Sequence, residues 1–237
     1  MIRFILALCS TLLFSISNFS YATTIPTTYT PAVAKAVQQL QQDFAALMLV
    51  DAKEIQTAPI NAAYKNALLK QDEKQIKKLF SKQQQDFIQQ MKKLNQGGDH
   101  SALLALVEWS LFSQDRDILQ DISLQPLRQL SQQGNAQASY LSALLIEYTD
   151  QKQYISLLEQ AAQQGSSAAQ MRLVDEYHFR LPVELQDSKK AEYYRNLAEK
   201  SMGKEKYQEA ICAVSNCEED LEWEYVEIPM PESLKNN

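Results

Sequence analysis

Few residues in this chain have a type and spacing suited to chemistry. Its 237 residues hold two histidines, His100 and His178, and three cysteines, Cys9, Cys212 and Cys217. The carboxylates of Glu108 and Asp115, or of Asp175 and Glu176, would suit general acid and base work if one of each pair were buried and shifted in pKa. Nothing in the sequence marks such burial, and a solvated helix face is the ordinary reading of acids at this spacing. His178 with Asp175 and Glu176 offers ligand types for a metal, but adjacent helical residues point to different faces, so the set does not converge on one ion. The chain contains no Gly-rich phosphate loop, no HExxH zinc helix and no GxSxG nucleophile elbow. The expectation is a protein without catalytic residues, bound metal or cofactor.

Charge narrows the partners. With 23 basic and 29 acidic residues the net charge is -6, which disfavours broad neutralisation of a phosphate backbone and hence nucleic acid. Six acids, Glu218, Glu219, Asp220, Glu222, Glu224 and Glu227, lie within residues 218–227, interleaved with Leu221, Trp223, Tyr225 and Val226. Alternation in LEWEYVEI suits an extended acidic tail over 215–237 with one apolar and one charged face. Glu222, Trp223, Glu224 and Tyr225 are its candidate binding residues. Two roles are open to them: insertion into a basic cleft of a partner, or a strap over the chain's own helices.

The first 22 residues read as an address. Arg3 precedes an apolar run from Phe4 to Ile16, too short to span a bilayer. Ser20-Tyr21-Ala22 offers the small residues of a signal-peptidase site. Cleavage near Ala22 would deliver the remainder to the periplasm or the exterior, with no stable membrane insertion; lipidation at Cys9 and a retained anchor are the alternatives. Cys212 and Cys217 would then be the remaining pair in an oxidising compartment, where a disulfide forms readily. Five residues of unbroken helix advance about 7.5 Å, beyond the ~6.8 Å limit for bridged Cα atoms. A bridge therefore needs the helix to end between them, near Ser215-Asn216; two buried free thiols are the alternative.

The elements that must position all this are helical. From Pro31 onward Ala, Leu, Gln, Lys and Glu dominate, and apolar residues such as Val37, Leu40, Phe44, Leu47 and Met48 recur at helical spacing. Helices are expected over about 32–56 and 60–96, divided at Ala58-Pro59. Leu68, Ile76, Leu79, Phe80, Phe87, Ile88, Met91 and Leu94 form one stripe on the second. That stripe suits packing within the chain; a coiled-coil dimer competes, but the spacing drifts from a strict heptad. Only five glycines occur, and Gly98, Gly134, Gly165 and Gly203 stand 36, 31 and 38 residues apart. Each follows a polar-faced helix. After the first three, a new helix begins with Ala102, Ala138 or Ala169 four residues on. Regular spacing in this range is the mark of a repeat architecture.

On these residues the chain resembles the Sel1-like repeats, relatives of the tetratricopeptide repeats. The best match runs from Gly165 to Gly203, with Ala169, Leu173 and Tyr177 at first-helix positions and Val183, Asp187, Lys190, Ala191, Tyr194 and Ala198 in PVELQDSKKAEYYRNLAEK. Residues 134–165 look like a shorter copy and 98–134 like a degenerate one, with Pro126 in place of an aromatic. Val174 and Ala143 replace a first-helix glycine common in the family, and Tyr207 replaces the small residue after Gly203, which marks Lys204–Val214 as a terminal cap helix.

The resemblance implies an all-α solenoid of helical hairpins over 98–214, preceded by a leader and N-terminal helical pair over 23–97 and followed by the acidic tail. It also implies protein binding through a concave face lined by first helices. Exposed positions there would be Glu108, Trp109, Glu147, Arg172, Asp175 and Glu176, with Trp109 equally suited to the core. Some exported proteins of this type are immunity proteins against envelope-targeting effectors of type VI secretion, which implies occlusion of an effector's active site as one role. A scaffold for envelope assembly is the second, and a cell-wall or β-lactam hydrolase, for which no motif is present, the third. Thiol titration of the denatured, unreduced mature protein should detect no free cysteine; two reactive thiols would remove the Cys212–Cys217 bridge.

Overall fold

In a computed structural model, residues 29–47 and 51–215 are described, with side chains to Ile211; these residues are helical and contain no strand. The α-helices are α1 (Pro31–Ala46), α2 (Ala52–Thr57), α3 (Ala62–Leu69), α4 (Glu73–Gln96), α5 (His100–Ser113), α6 (Gln125–Gln132), α7 (Ala136–Ile146), α8 (Gln151–Gln163), α9 (Ser167–Asp175), α10 (Ser188–Met202) and α11 (Lys204–Ser215). No helix among the described residues is long and apolar enough to cross a membrane. The chain divides between Ile122 and Ser123 into two compact units, a boundary that falls inside the stretch 98–134.

In the unit of residues 25–122, the two long helices expected from periodicity are four. Asp51, Asn61 and Asp72 each accept hydrogen bonds from backbone amides of the following turn and so start a new helix. Gln71 adopts a left-handed conformation, φ 52°, ahead of the last of these starts. The anticipated stripe is correspondingly split, with Leu68 on α3 and the rest on α4. Its buried members are Leu68 on α3 and Phe87 and Met91 on α4. Phe44 meets Phe80 and Phe112 at 5.9 and 5.2 Å between ring centroids, and Phe87 meets Trp109 at 6.0 Å. Helix α5 is buried on nearly every face, as a helix apolar all round must be. Asp43, buried beside these rings, accepts from the amides of Gln39 (3.1 Å) and Gln83 (2.9 Å). Burial raises its carboxyl above the usual range, and the Gln39 hydrogen bond opposes this.

In the unit beginning at Ser123, α7 packs on α8, α8 on α9, α9 on α10 and α10 on α11. Ala143, Tyr154, Leu158, Ala161, Ala162, Ala169, Leu173, Tyr177, Leu181, Ala191 and Tyr194 form its core. The small residues let helix axes approach, and the tyrosines fill what remains. Two kinds of connection alternate. After α6 and α8 comes a tight glycine corner; after α7 and α9 comes a polar turn, Glu147–Asp150 or the longer Glu176–Asp187.

The glycine corners have one design. Gly134 donates to the Ser131 carbonyl (3.1 Å) and Asn135 to that of Leu130 (3.0 Å); Gly165 and Ser166 repeat this to Ala162 (3.1 Å) and Ala161 (2.9 Å). That pair of bonds is the Schellman ending, which needs a left-handed residue, and both glycines have φ above 90°. The next residue then caps the following helix: Asn135 accepts from Ala138 N and Ser166 from Ala169 N. One dipeptide thus stops one helix and starts the next. In the other unit, Gly98-Asp99 joins α4 to α5 in the same way, with Gly98 bonded to Asn95 (3.0 Å) and Asp99 to Leu94 (3.0 Å). Gly203 departs from the pattern: its amide bonds Glu199 (2.9 Å) and α11 starts at once.

A Cβ built at Gly134 or Gly165 would meet nothing within 4 Å, so the cost of a side chain there is conformational alone. Gly134→Ala and Gly165→Ala should each destabilise by about 1–2 kcal/mol, and Gly134→Asn by less, since asparagine tolerates the left-handed region. Urea denaturation of the three variants measures this; an alanine variant as stable as the parent would refute the corner.

Candidate functional site

Both polar turns of the second unit are knit together by a partly buried charge network. Glu147 closes α7, Tyr154 projects from α8, and Arg172 lies near the end of α9. Beyond Asp175 the helix widens into one π turn, Glu176–Arg180, closed by the Leu181 amide on the Glu176 carbonyl at 3.0 Å. Arg172 Nε donates to the Tyr154 hydroxyl (2.9 Å) and to Glu176 Oε1 (3.1 Å), while its Nη2 donates to Glu147 Oε1. The Tyr154 hydroxyl itself donates to Glu176 Oε1 at 2.8 Å. Arg180 completes the set, with Nη2 at 3.0 Å from Glu147 and Nε at 3.3 Å from Glu176. Two guanidiniums therefore neutralise two carboxylates, and the pair Glu147–Arg180 ties the first polar turn to the second.

Burial dominates the titration here. It pushes the Tyr154 phenol above its ordinary range. It also opposes the charge on Arg172, but Tyr154 and Glu147 act the other way and hold the guanidinium protonated, above its usual pKa. A parallel cluster lies beside it: Tyr177 donates to Glu159 at 2.6 Å, Lys190 bonds Glu159 at 3.1 Å, and the Lys190 ammonium sits 4.8 Å from the centroid of the Tyr177 ring. Tyr177 in turn stacks on Tyr194 at 6.1 Å. At the glycine-corner ends of the helices the polar contacts are neutral. Ser131 and Ser139 share a 2.8 Å hydrogen bond, Ser139 donates to Gln164 at 2.7 Å, and Gln160 and Gln164 donate to the Ser131 carbonyl at 3.1 and 3.2 Å.

Four large apolar side chains of the two turns are exposed. Tyr148 in the first turn is 85% exposed, and Phe179, Val183 and Leu185 in the second are 74%, 81% and 54% exposed. His178, also exposed, meets Phe179 edge-on at 4.9 Å. Among the described residues no three His, Cys, Asp or Glu side chains are grouped to hold a metal ion. The Glu147 and Glu176 carboxylates face arginines, and the exposed side chains of the two turns include these four large apolar ones together with polar Thr149, Asp150, His178 and Glu184.

The structure redistributes the residues singled out from sequence. Glu147, Arg172 and Glu176 do come together, but in mutual pairing. Their expected exposure is corrected for Glu176, only 4% exposed, and for Trp109, also 4%. Trp109 sits on a helix apolar nearly throughout and packs on Phe87 and Phe112. Glu108 is half-buried; burial raises its carboxyl above the usual range, opposed by a hydrogen bond from the Tyr29 hydroxyl at 2.5 Å. Asp175 is exposed, as anticipated. Cys217, Glu222, Trp223, Glu224, Tyr225 and the side chain of Cys212 lie outside the described residues. Tyr148, Tyr154, Phe179, Arg180 and Leu185 escaped the sequence reading. Four of the five lie in turns or the π segment, where helical periodicity carries no signal. Only Val183 of the four exposed apolar residues was singled out, as a repeat position.

Comparison of the chain with protein-family models, with curated proteins and with solved structures finds no match.

The network separates buried from screened pairs. The side chain of Arg172 is 13% exposed and that of Arg180 42%. Arg172→Met should destabilise the unit by roughly 3 kcal/mol, since it takes the buried guanidinium from Glu147, Glu176 and Tyr154 and leaves the two carboxylates only the more exposed Arg180, and Arg180→Met by no more than about 1 kcal/mol. Chemical denaturation distinguishes them, and equal losses would contradict this hierarchy.

Proposed function

We propose that this chain is an exported helical-repeat module of the Sel1-like type whose work is to bind another protein. The observation that carries this reading is the exposure of four large apolar side chains, Tyr148, Phe179, Val183 and Leu185, on two consecutive turns. Soluble surfaces seldom group large apolar side chains without a partner, and aromatic anchors above a rigid floor are the usual source of binding energy. The floor is the Glu147–Arg172–Glu176–Arg180 set, which holds the two turns at a fixed separation. Polar side chains of the first helices are drawn into that floor, so binding is assigned to the turns in place of the concave face. Within this class, the narrower proposal is an immunity protein that covers the active-site entrance of a type VI-delivered, envelope-targeting effector. An acidic chain with an export-type leader agrees with it.

Affinity capture from periplasmic extract, followed by titration of the retained protein, tests the reading. Phe179→Ala should weaken binding about tenfold or more, the loss of at least ~1.4 kcal/mol expected of an anchor, while Lys200→Ala on exposed α10 surface should leave it unchanged. Unaltered affinity for Phe179→Ala, or hydrolysis of wall fragments by a preparation that retains no protein, would remove the proposal.

A further inference from the structure

Charge is spread unevenly along the chain. Residues 62–96, which form α3 and α4, hold eight lysines against three acids, a net +5 within a total of -6. Successive helical residues turn by about 100°, so Lys74, Lys77, Lys78, Lys82, Lys92 and Lys93 fall within an arc of about 160° on α4 and extend over about 28 Å of its length. The acids of this helix, Glu73 and Asp86, lie outside the arc, and the buried Phe87 and Met91 project away from it. Five of the six lysines are exposed and Lys92 is half-buried. None of them makes an ion pair with a described residue.

What such a face can hold follows from its chemistry. All six cations are lysines, compact charges without the planar fork by which arginine matches a carboxylate, a phosphate or a base edge. The aromatic residues of α4, Phe80 and Phe87, are packed against other rings. They leave no platform for stacked bases and no anchor for a protein interface. The outer face of a helix is convex, so it encloses no small ligand. An extended surface of dense charge without fixed shape remains, and anionic lipid headgroups have both properties. Each lysine brought to such a surface strengthens adsorption about fivefold. A second observation agrees: Leu69, 37% exposed, is the one large apolar side chain exposed among the described residues of this unit, and it precedes Lys70 in the link into α4. An apolar side chain beside a basic face can enter the headgroup region.

We propose that the lysine face of α4 docks the chain on the surface of an anionic lipid bilayer, with Leu69 set among the headgroups. The contact is peripheral and reversible, and it weakens as salt screens the charges. It rests on other residues than the exposed turns, so it stands or falls apart from the reading of those turns.

Flotation of the full chain with vesicles tests this. The chain should rise with vesicles of phosphatidylcholine containing one-third phosphatidylglycerol and stay behind with phosphatidylcholine alone. It should be released at about 1 M salt, where the Debye length is ~3 Å. Lys74→Gln, Lys78→Gln and Lys82→Gln together should lower the partition coefficient about a hundredfold. Lys77→Gln with Lys93→Gln, on the same face, should lower it about twentyfold and guards against misfolding of the triple variant. Arginine at positions 74, 78 and 82 should preserve binding, because a bilayer asks for charge and not for shape. Glutamine in place of the exposed Lys189, Lys200 and Lys204 should change nothing, and Phe179→Ala should float as the parent does. Leu69→Ser should weaken binding severalfold. Equal binding to the two kinds of vesicle, or glutamine variants that bind like the parent, would overturn the proposal. So would loss of binding in the arginine variant, which would point to a shaped partner, or retention by polyglutamate or duplex DNA without retention by the vesicles.

Discussion

The structure depends most on a backbone constraint: a helix must end and another begin within two residues, at a fixed angle, without leaving buried amides or carbonyls unpaired. Gly134-Asn135 and Gly165-Ser166 meet it by satisfying the last carbonyls of one helix and the first amides of the next through a single left-handed residue and a single capping side chain. Both corners have the same hydrogen bonds and a left-handed glycine. Ala138 and Ala169, four residues after each glycine, are both fully buried.

The two ends of these helices are held by different chemistry. At the corner end, serine and glutamine side chains close neutral hydrogen bonds around the Ser131 carbonyl. At the turn end, two glutamates and two arginines do the joining. Neutral groups cost less to bury, which suits the crowded corner. Charged groups bridge longer gaps and specify which turn faces which, while Arg180 remains near enough to water to limit the desolvation cost. The π turn at Glu176–Arg180 serves this arrangement. Within it Glu176 is buried and pairs with the more exposed Arg180, while His178 and Phe179 are left exposed.

Much of the secondary structure was legible beforehand. Composition and periodicity specify helices, and the glycine spacing locates the corners, because a left-handed C-cap is a local demand that a residue type announces. The breaks at Asp51, Asn61 and Asp72 were also locally encoded, as capping residues, but long apolar periodicity across them masked the signal. The surroundings of the candidate site residues were harder. Glu147, Arg172 and Glu176 were expected as exposed positions, yet they pair with one another, since the partners lie on other elements: Arg172 is 25 residues from Glu147 and 18 from Tyr154.

By itself, then, the chain's order of residues determined the helical class, the corners and the small residues that line them, all of which follow from conformational preferences acting within a few neighbours. Tertiary structure alone decided which charges are buried against one another, that Trp109 belongs to a core, and that Tyr148 and Phe179 stand exposed on neighbouring turns. Those outcomes turn on distances between segments far apart in the chain, and local patterns of hydrophobicity hold no information about such distances.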